Sequence, residues 1–151
     1  MIKKVLIFDN DLITTKKTLQ FTLELFKEQK IKIVLLDVIE PERLPIIYAF
    51  PMPAYYPGST MTRIYEETRL KHKKDFKKLL LNLEDQFPTL EFSAIILEGT
   101  PSNEILNYAK KENFDLVIIG HKKMSWIQKI LHRNTALEVV KHIKCPVLIV
   151  K

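Results

Sequence analysis

Asp115-Leu116-Val117-Ile118-Ile119-Gly120 is the stretch on which the fold reading turns. Four apolar residues, three of them β-branched, stand together with no position reserved for water. A continuous run of this kind marks a strand buried on both faces, as in a parallel sheet covered by helices. Four further runs read the same way: Val5–Phe8, Ile33–Leu36, Ala94–Leu97 and Val147–Val150. Between them, apolar residues recur at helical spacing. Leu19, Leu23 and Phe26 form one stripe, Phe76, Leu79, Leu80, Leu83 and Phe87 another, and Ala136, Val139, Val140 and Ile143 a third. Thr100 before Pro101 offers an N-cap followed by proline at the first helical position. Strands and helices thus alternate, and an open α/β doubly wound sheet of five parallel strands follows, with helices on both faces.

Composition agrees with this class. The chain has 151 residues, 46% hydrophobic and 28% charged, which suits one globular domain spanning residues 1–151. No apolar run approaches the ~18–20 residues of a membrane span, and none reads as a signal peptide. The one cysteine, Cys145, allows no internal disulfide and points to a reducing, cytoplasmic setting. Its place before Pro146 at a strand start suits a buried, inert thiol rather than a nucleophile.

The net charge of +6 raises nucleic acid as a partner. Much of that charge, however, falls at Arg69, Lys71, Lys73, Lys74, Lys77 and Lys78, interleaved with apolar residues at helical spacing. That pattern predicts the solvated face of an amphipathic helix rather than a nucleic-acid or membrane surface. A second basic cluster, from His121 to Arg133, includes Trp126. Basic and aromatic residues do not alternate there as single-strand binding requires, so the tryptophan reads as a core or dimer anchor. His72, His121, His132 and His142 show no metal-ligand spacing with Cys145.

Residues 40–59 break the pattern. Five prolines (Pro41, Pro45, Pro51, Pro53 and Pro57) with Tyr48, Phe50, Tyr55 and Tyr56 among them exclude a helix or central strand. The expectation is a long loop after the second strand, serving as lid or as cover.

Doubly wound sheets bind ligands at the carboxyl ends of their strands. Here those ends are Asp9-Asn10-Asp11, Asp37-Val38, Glu98-Gly99 and Gly120-His121. Val5 to Asp11 resembles the opening motif of haloacid-dehalogenase phosphatases, in which the first Asp attacks phosphorus and the second is acid and base. Asp9 and Asp11 would take those roles. The Gly-Thr expected after Leu12 is missing, and Gly120-His121-Lys122 supplies no carboxylate. A receiver domain would need an aspartate where Glu98-Gly99 stands. Neither a dinucleotide-binding glycine fingerprint nor a P-loop is present.

The carboxyl-terminal half carries a fuller resemblance. Glu98-Gly99-Thr100-Pro101, then Asp115 to Gly120, then Cys145-Pro146-Val147-Leu148-Ile149-Val150 occur in the order and spacing of universal stress proteins. With Asp9 and Asp37-Val38 fitting as well, the sequence resembles that family over essentially its whole length. The resemblance implies strand order 3-2-1-4-5 and a homodimer through the last strand, Val147–Val150. The apolar, terminal character of that strand independently suggests a free edge that seeks pairing.

ATP-binding members of the family carry Gly-x2-Gly-x9-Gly-Ser/Thr after strand four. Against that pattern, Gly120 matches the first glycine, whereas Lys123 and Arg133 replace the other two and Asn134 the hydroxyl. A nucleotide site, if retained, would draw on Asp9, Val38, Gly120, Lys122, Lys123, Arg133, Asn134 and Thr135. Lysine and arginine would then hold the anion in place of backbone amides. The leading expectation is a stress-response sensor or partner-binding protein with a degenerate nucleotide site and no dedicated catalytic residues. No cofactor is fixed by the sequence. The alternative is an adenine-nucleotide switch taking ATP with Mg²⁺ on basic residues, and the phosphatase stands as a further alternative.

Overall fold

In the computed structural model, the described residues are 1–9, 12, 16–41, 58–120 and 135–151, with residues 58–61 described for backbone alone. The elements run β1 (Lys4–Phe8), α1 (Lys17–Phe26), β2 (Lys32–Ile39), α2 (Gly58–Gln86), β3 (Glu91–Glu98), α3 (Pro101–Glu112), β4 (Leu116–Gly120), α4 (Thr135–His142) and β5 (Val147–Val150). All five strands are parallel, in the order β3-β2-β1-β4-β5. Both the architecture and the strand order agree with the sequence reading.

The pleat divides each apolar run between two cores. Val5, Ile7, Ile33, Leu35 and Ile118 meet the stripes of α1 and α2 on one face. Leu6, Phe8, Val34, Leu36, Val117 and Ile119 meet Ile105, Ala109, Ala136 and Val139 of α3 and α4 on the other. Because β1 and β4 are covered on both sides, every residue from Val5 to Phe8 and from Leu116 to Ile119 is buried. Each such side chain stabilises the fold by about 1.5–3 kcal/mol.

The two outer strands depart from that expectation. In β3, Ser93 to Leu97 are only half-buried, and in β5 only Val150 is buried, because a strand with one neighbour is covered less completely. The expected stripe on α4 also loses a member. Ala136 and Val139 are buried and Ile143 packs beside them, but Val140 is 46% exposed. Positions 136, 139 and 143 share one helical face, and 140 falls beyond its margin.

The basic segment of α2 behaves as expected. Arg69, Lys71, Lys73, Lys74, Lys77 and Lys78 are exposed while Phe76, Leu79 and Leu83 are buried. The helix starts at Gly58, so Gly58 and Ser59 belong to it rather than to the proline-rich loop. Residues 42–57, the body of that loop, lie outside the described residues. Thr100 has the extended backbone of an N-cap and Pro101 follows at the helix start, but the threonine hydroxyl makes no capping hydrogen bond. Among the described residues, no helix is long and apolar enough to cross a membrane.

Candidate functional site

The sheet order places a switch point between β1 and β4. From β1 the chain winds outward through β2 to β3, then returns to the other side of β1 for β4 and β5. Connections therefore diverge above the carboxyl ends of β1 and β4 and leave a crevice between them. Asp9 follows β1, and Gly120 closes β4.

These two residues are in direct contact. A Cβ placed on Gly120 would lie 2.5 Å from Thr18 Oγ1 and closer still to the Asp9 carboxylate. Only glycine fits there. The Thr18 hydroxyl, on the first turn of α1, donates to Asp9 Oδ2. Thr18 is 2% exposed and is itself fixed from below, since the Thr22 hydroxyl donates to its carbonyl at 2.8 Å. The chain turns immediately past Asp9, with the Leu12 amide donating to the Asp9 carbonyl at 3.1 Å. The crevice thus has a carboxylate held by a buried hydroxyl on one wall and bare backbone on the other.

A second set of polar residues lies further along the same edge. Asp37 and Val38 lie just before the last residue of β2, on opposite faces. Val38 packs onto the α3 and α4 core, while Asp37 Oδ2 bonds His72 Nδ1 of α2. One step outward, the Tyr65 hydroxyl donates to Glu98 Oε2 at 2.6 Å, joining α2 to the last residue of β3. The hydrogen bond to Asp37 raises the His72 pKa above its ordinary value. The negative charges of Asp37 and Asp75 act in the same direction, against partial burial and Lys71. The Tyr65 phenol is likewise raised, chiefly by its bond to Glu98. Sequence reading missed both pairs. His72 drew notice only as a non-ligand, and partners 35 and 33 residues apart leave no local signature.

Of the expected site residues, Asp9 and Gly120 meet, and Val38 is the penultimate residue of β2, the strand next to β1. Thr135 opens α4 and is half-buried. Lys122, Lys123, Arg133 and Asn134 lie outside the described residues, as do Asp11, His121, Trp126, Lys129 and His132. The segment that holds the basic residues joins Gly120, the end of β4, to Thr135, the start of α4.

The universal stress protein family model matches residues 1–151. The chain belongs to that family. Curated relatives agree. It is 26% identical over 153 residues to universal stress protein YxiE of Bacillus subtilis, covering all of both chains. It is also 41% identical over 56 residues to universal stress protein MJ0531 of Methanocaldococcus jannaschii, a match spanning 33% of that relative. Among solved structures, MJ0577 superposes with a TM-score of 0.74 at 21% identity, covering 100% of this chain and 97% of that one. A universal stress protein from Archaeoglobus fulgidus in complex with dAMP gives 0.60 at 14% identity, covering 100% and 98%. A family member from Arabidopsis thaliana with AMP bound gives 0.61 at 20%, covering 99% and 91%.

Several motif residues of this universal stress protein have structural work to do. Asp115 accepts the backbone amides of Lys3 at 2.8 Å and Lys4 at 2.9 Å, which fixes the start of β1 against β4. Those bonds hold its carboxyl below the usual carboxylate range. Gly99 has φ = 142°, a backbone that side-chain-bearing residues rarely adopt, and this permits the sharp turn from β3 into α3. The Pro146 carbonyl accepts from the Val117 amide at 3.0 Å where β5 begins. Cys145 is half-buried, and burial pushes its thiol pKa up, which suits packing better than nucleophilic chemistry.

Proposed function

We propose that this protein is a single-domain stress-response module with an adenine-nucleotide site. In this reading the adenosine-binding half is kept and the phosphate-binding half is rebuilt from basic side chains. The observation that carries it is the contact of Asp9, Thr18 and Gly120 at the β1/β4 switch point, where doubly wound sheets take ligands, and family relatives above hold dAMP and AMP. Asp9 would accept from the ribose hydroxyls, and Val38 would flank the base. Lys122, Lys123 and Arg133 would meet the phosphates, with Asn134 and Thr135 as hydrogen-bonding partners. Mg²⁺ would arrive on the phosphates of ATP. Nothing assigned to this site performs general acid–base work, and the proposed role is binding rather than turnover. The module would act in the cytoplasm as a homodimer joined at the free edge of β5, where Ile149 is 40% exposed. It would signal its nucleotide state to a partner protein.

Calorimetric titration with AMP, ATP and inorganic phosphate, with and without Mg²⁺, tests this reading. Binding of AMP or ATP, but not of phosphate alone, is expected. Asp9→Ala should abolish it, and Lys123→Glu should weaken ATP more than AMP. Light scattering on the same samples should give the mass of two chains. Folded protein that takes up no adenine nucleotide would overturn the site assignment and leave partner binding without a nucleotide.

A further inference from the structure

Away from the crevice, the outer edge of β3 carries a groove of about 450 Å³. Its floor is the strand itself, Ala94, Ile95 and Ile96, and its wall is α2, with Lys73, Lys77 and Leu81. Three consecutive strand residues line it, so the groove runs along the backbone of the free edge. There, alternate residues present N–H and C=O groups with no strand beside them among the described residues. Between Glu91 and Glu98 the strand has no charge, proline or glycine, the usual devices that blunt an edge. Leu81 is 60% exposed beside it.

The charge on the wall selects the occupant. Lys73 and Lys77 make no ion pair with any described residue, and they stand one helical turn apart, about 6 Å along the helix. An added strand repeats its side chains on one face every two residues, about 6.7 Å. The two spacings match closely enough for acids at alternate positions of such a strand to meet both lysines. Glu84 lies towards the other end of the groove, so the charges should stop there. A second copy of this chain fits poorly. Two β3 edges paired across a two-fold axis would bring two lysine-bearing helices to the same face.

We infer that this edge receives an extended segment of a partner protein with acidic residues at alternate positions, added to the sheet as a sixth strand next to β3. This inference does not depend on the nucleotide reading, because the groove and the crevice share no residue.

Fluorescence anisotropy of the full chain with a labelled peptide of about eight residues, the length of β3, tests it. The probe carries two glutamates at alternate positions and valines or threonines elsewhere. Saturable binding is expected, weakening as salt is raised. Lys73→Glu with Lys77→Glu should weaken it about tenfold or more, since two exposed charge contacts become repulsive. Both lysines are exposed, so the variant should fold, as circular dichroism would verify. A probe N-methylated at alternate amides keeps its charges but cannot pair, and it should not bind. Equal binding of the methylated probe would overturn strand addition. So would unchanged affinity in the double variant, absence of binding, or self-association through this edge that the same substitutions abolish.

Discussion

The carboxyl edge of the sheet is finished in two different ways. At the β1/β4 seam, elements approach because a side chain is missing. Gly120 leaves room for the Asp9 carboxylate, and Thr18 holds that carboxylate from within the core. At the β2/β3 end, they are joined by side chains that reach across. Asp37 meets His72, and Glu98 meets Tyr65, both partners standing on α2. The first seam is packed, and its fit is steric. The second contains a titratable imidazole and depends on pH.

The largest test of this contrast is Gly120→Val. The new side chain must displace Asp9 and Thr18, neither of which is a long flexible chain that can swing aside. We expect a loss of about 2–4 kcal/mol in denaturant unfolding at all pH values between 6 and 8. A loss below about 0.5 kcal/mol would show that the seam is not steric. Next comes Thr18→Val, which keeps shape and removes the donor to a carboxylate. It should cost about 1–3 kcal/mol, again with little dependence on pH near neutrality. The smallest effect should come from His72→Gln, and it should vary with pH. The folded pKa of His72 is raised, so its contribution is fully present below the unfolded value of about 6.5. It is lost as pH rises through the higher folded value. The wild-type protein should therefore unfold at a higher temperature than the variant in acid, with the gap closing towards alkaline pH. A gap that widens with pH would reverse the assigned protonation.

What could be read in the sequence followed from local repetition. Val5–Phe8 and Leu116–Ile119 declared themselves because burial on both faces requires apolar residues without interruption. In the edge strand β3, only Ala94–Leu97 of Glu91–Glu98 reads as a strand. Its true start, Glu91-Phe92-Ser93, mixes polar with apolar residues because one side has no neighbouring strand. Val140 misled for a related reason. An apolar residue at roughly helical spacing need not face the core when the helix has only eight residues and a narrow buried face. At the candidate site, Asp9 and Gly120 were legible because strand ends can be located from strand runs. Thr18, His72 and Tyr65 were not. They lie inside helices, and only the completed fold decides which strand end each helix residue stands beside.

The length of α2 has a consequence for approach to the crevice. Its 29 residues run to about 43 Å, whereas the eight residues of β3 beneath it span about 26 Å. Tyr65 is level with Glu98, the last residue of the strand, so the turns before it rise about 10 Å above the sheet. The molecule is therefore built like a stage with one tall side wing. Among the described residues, a macromolecule coming from the β3 side meets that wing before it reaches the β1/β4 seam. Direction of approach, besides chemistry, thus bears on what reaches Asp9.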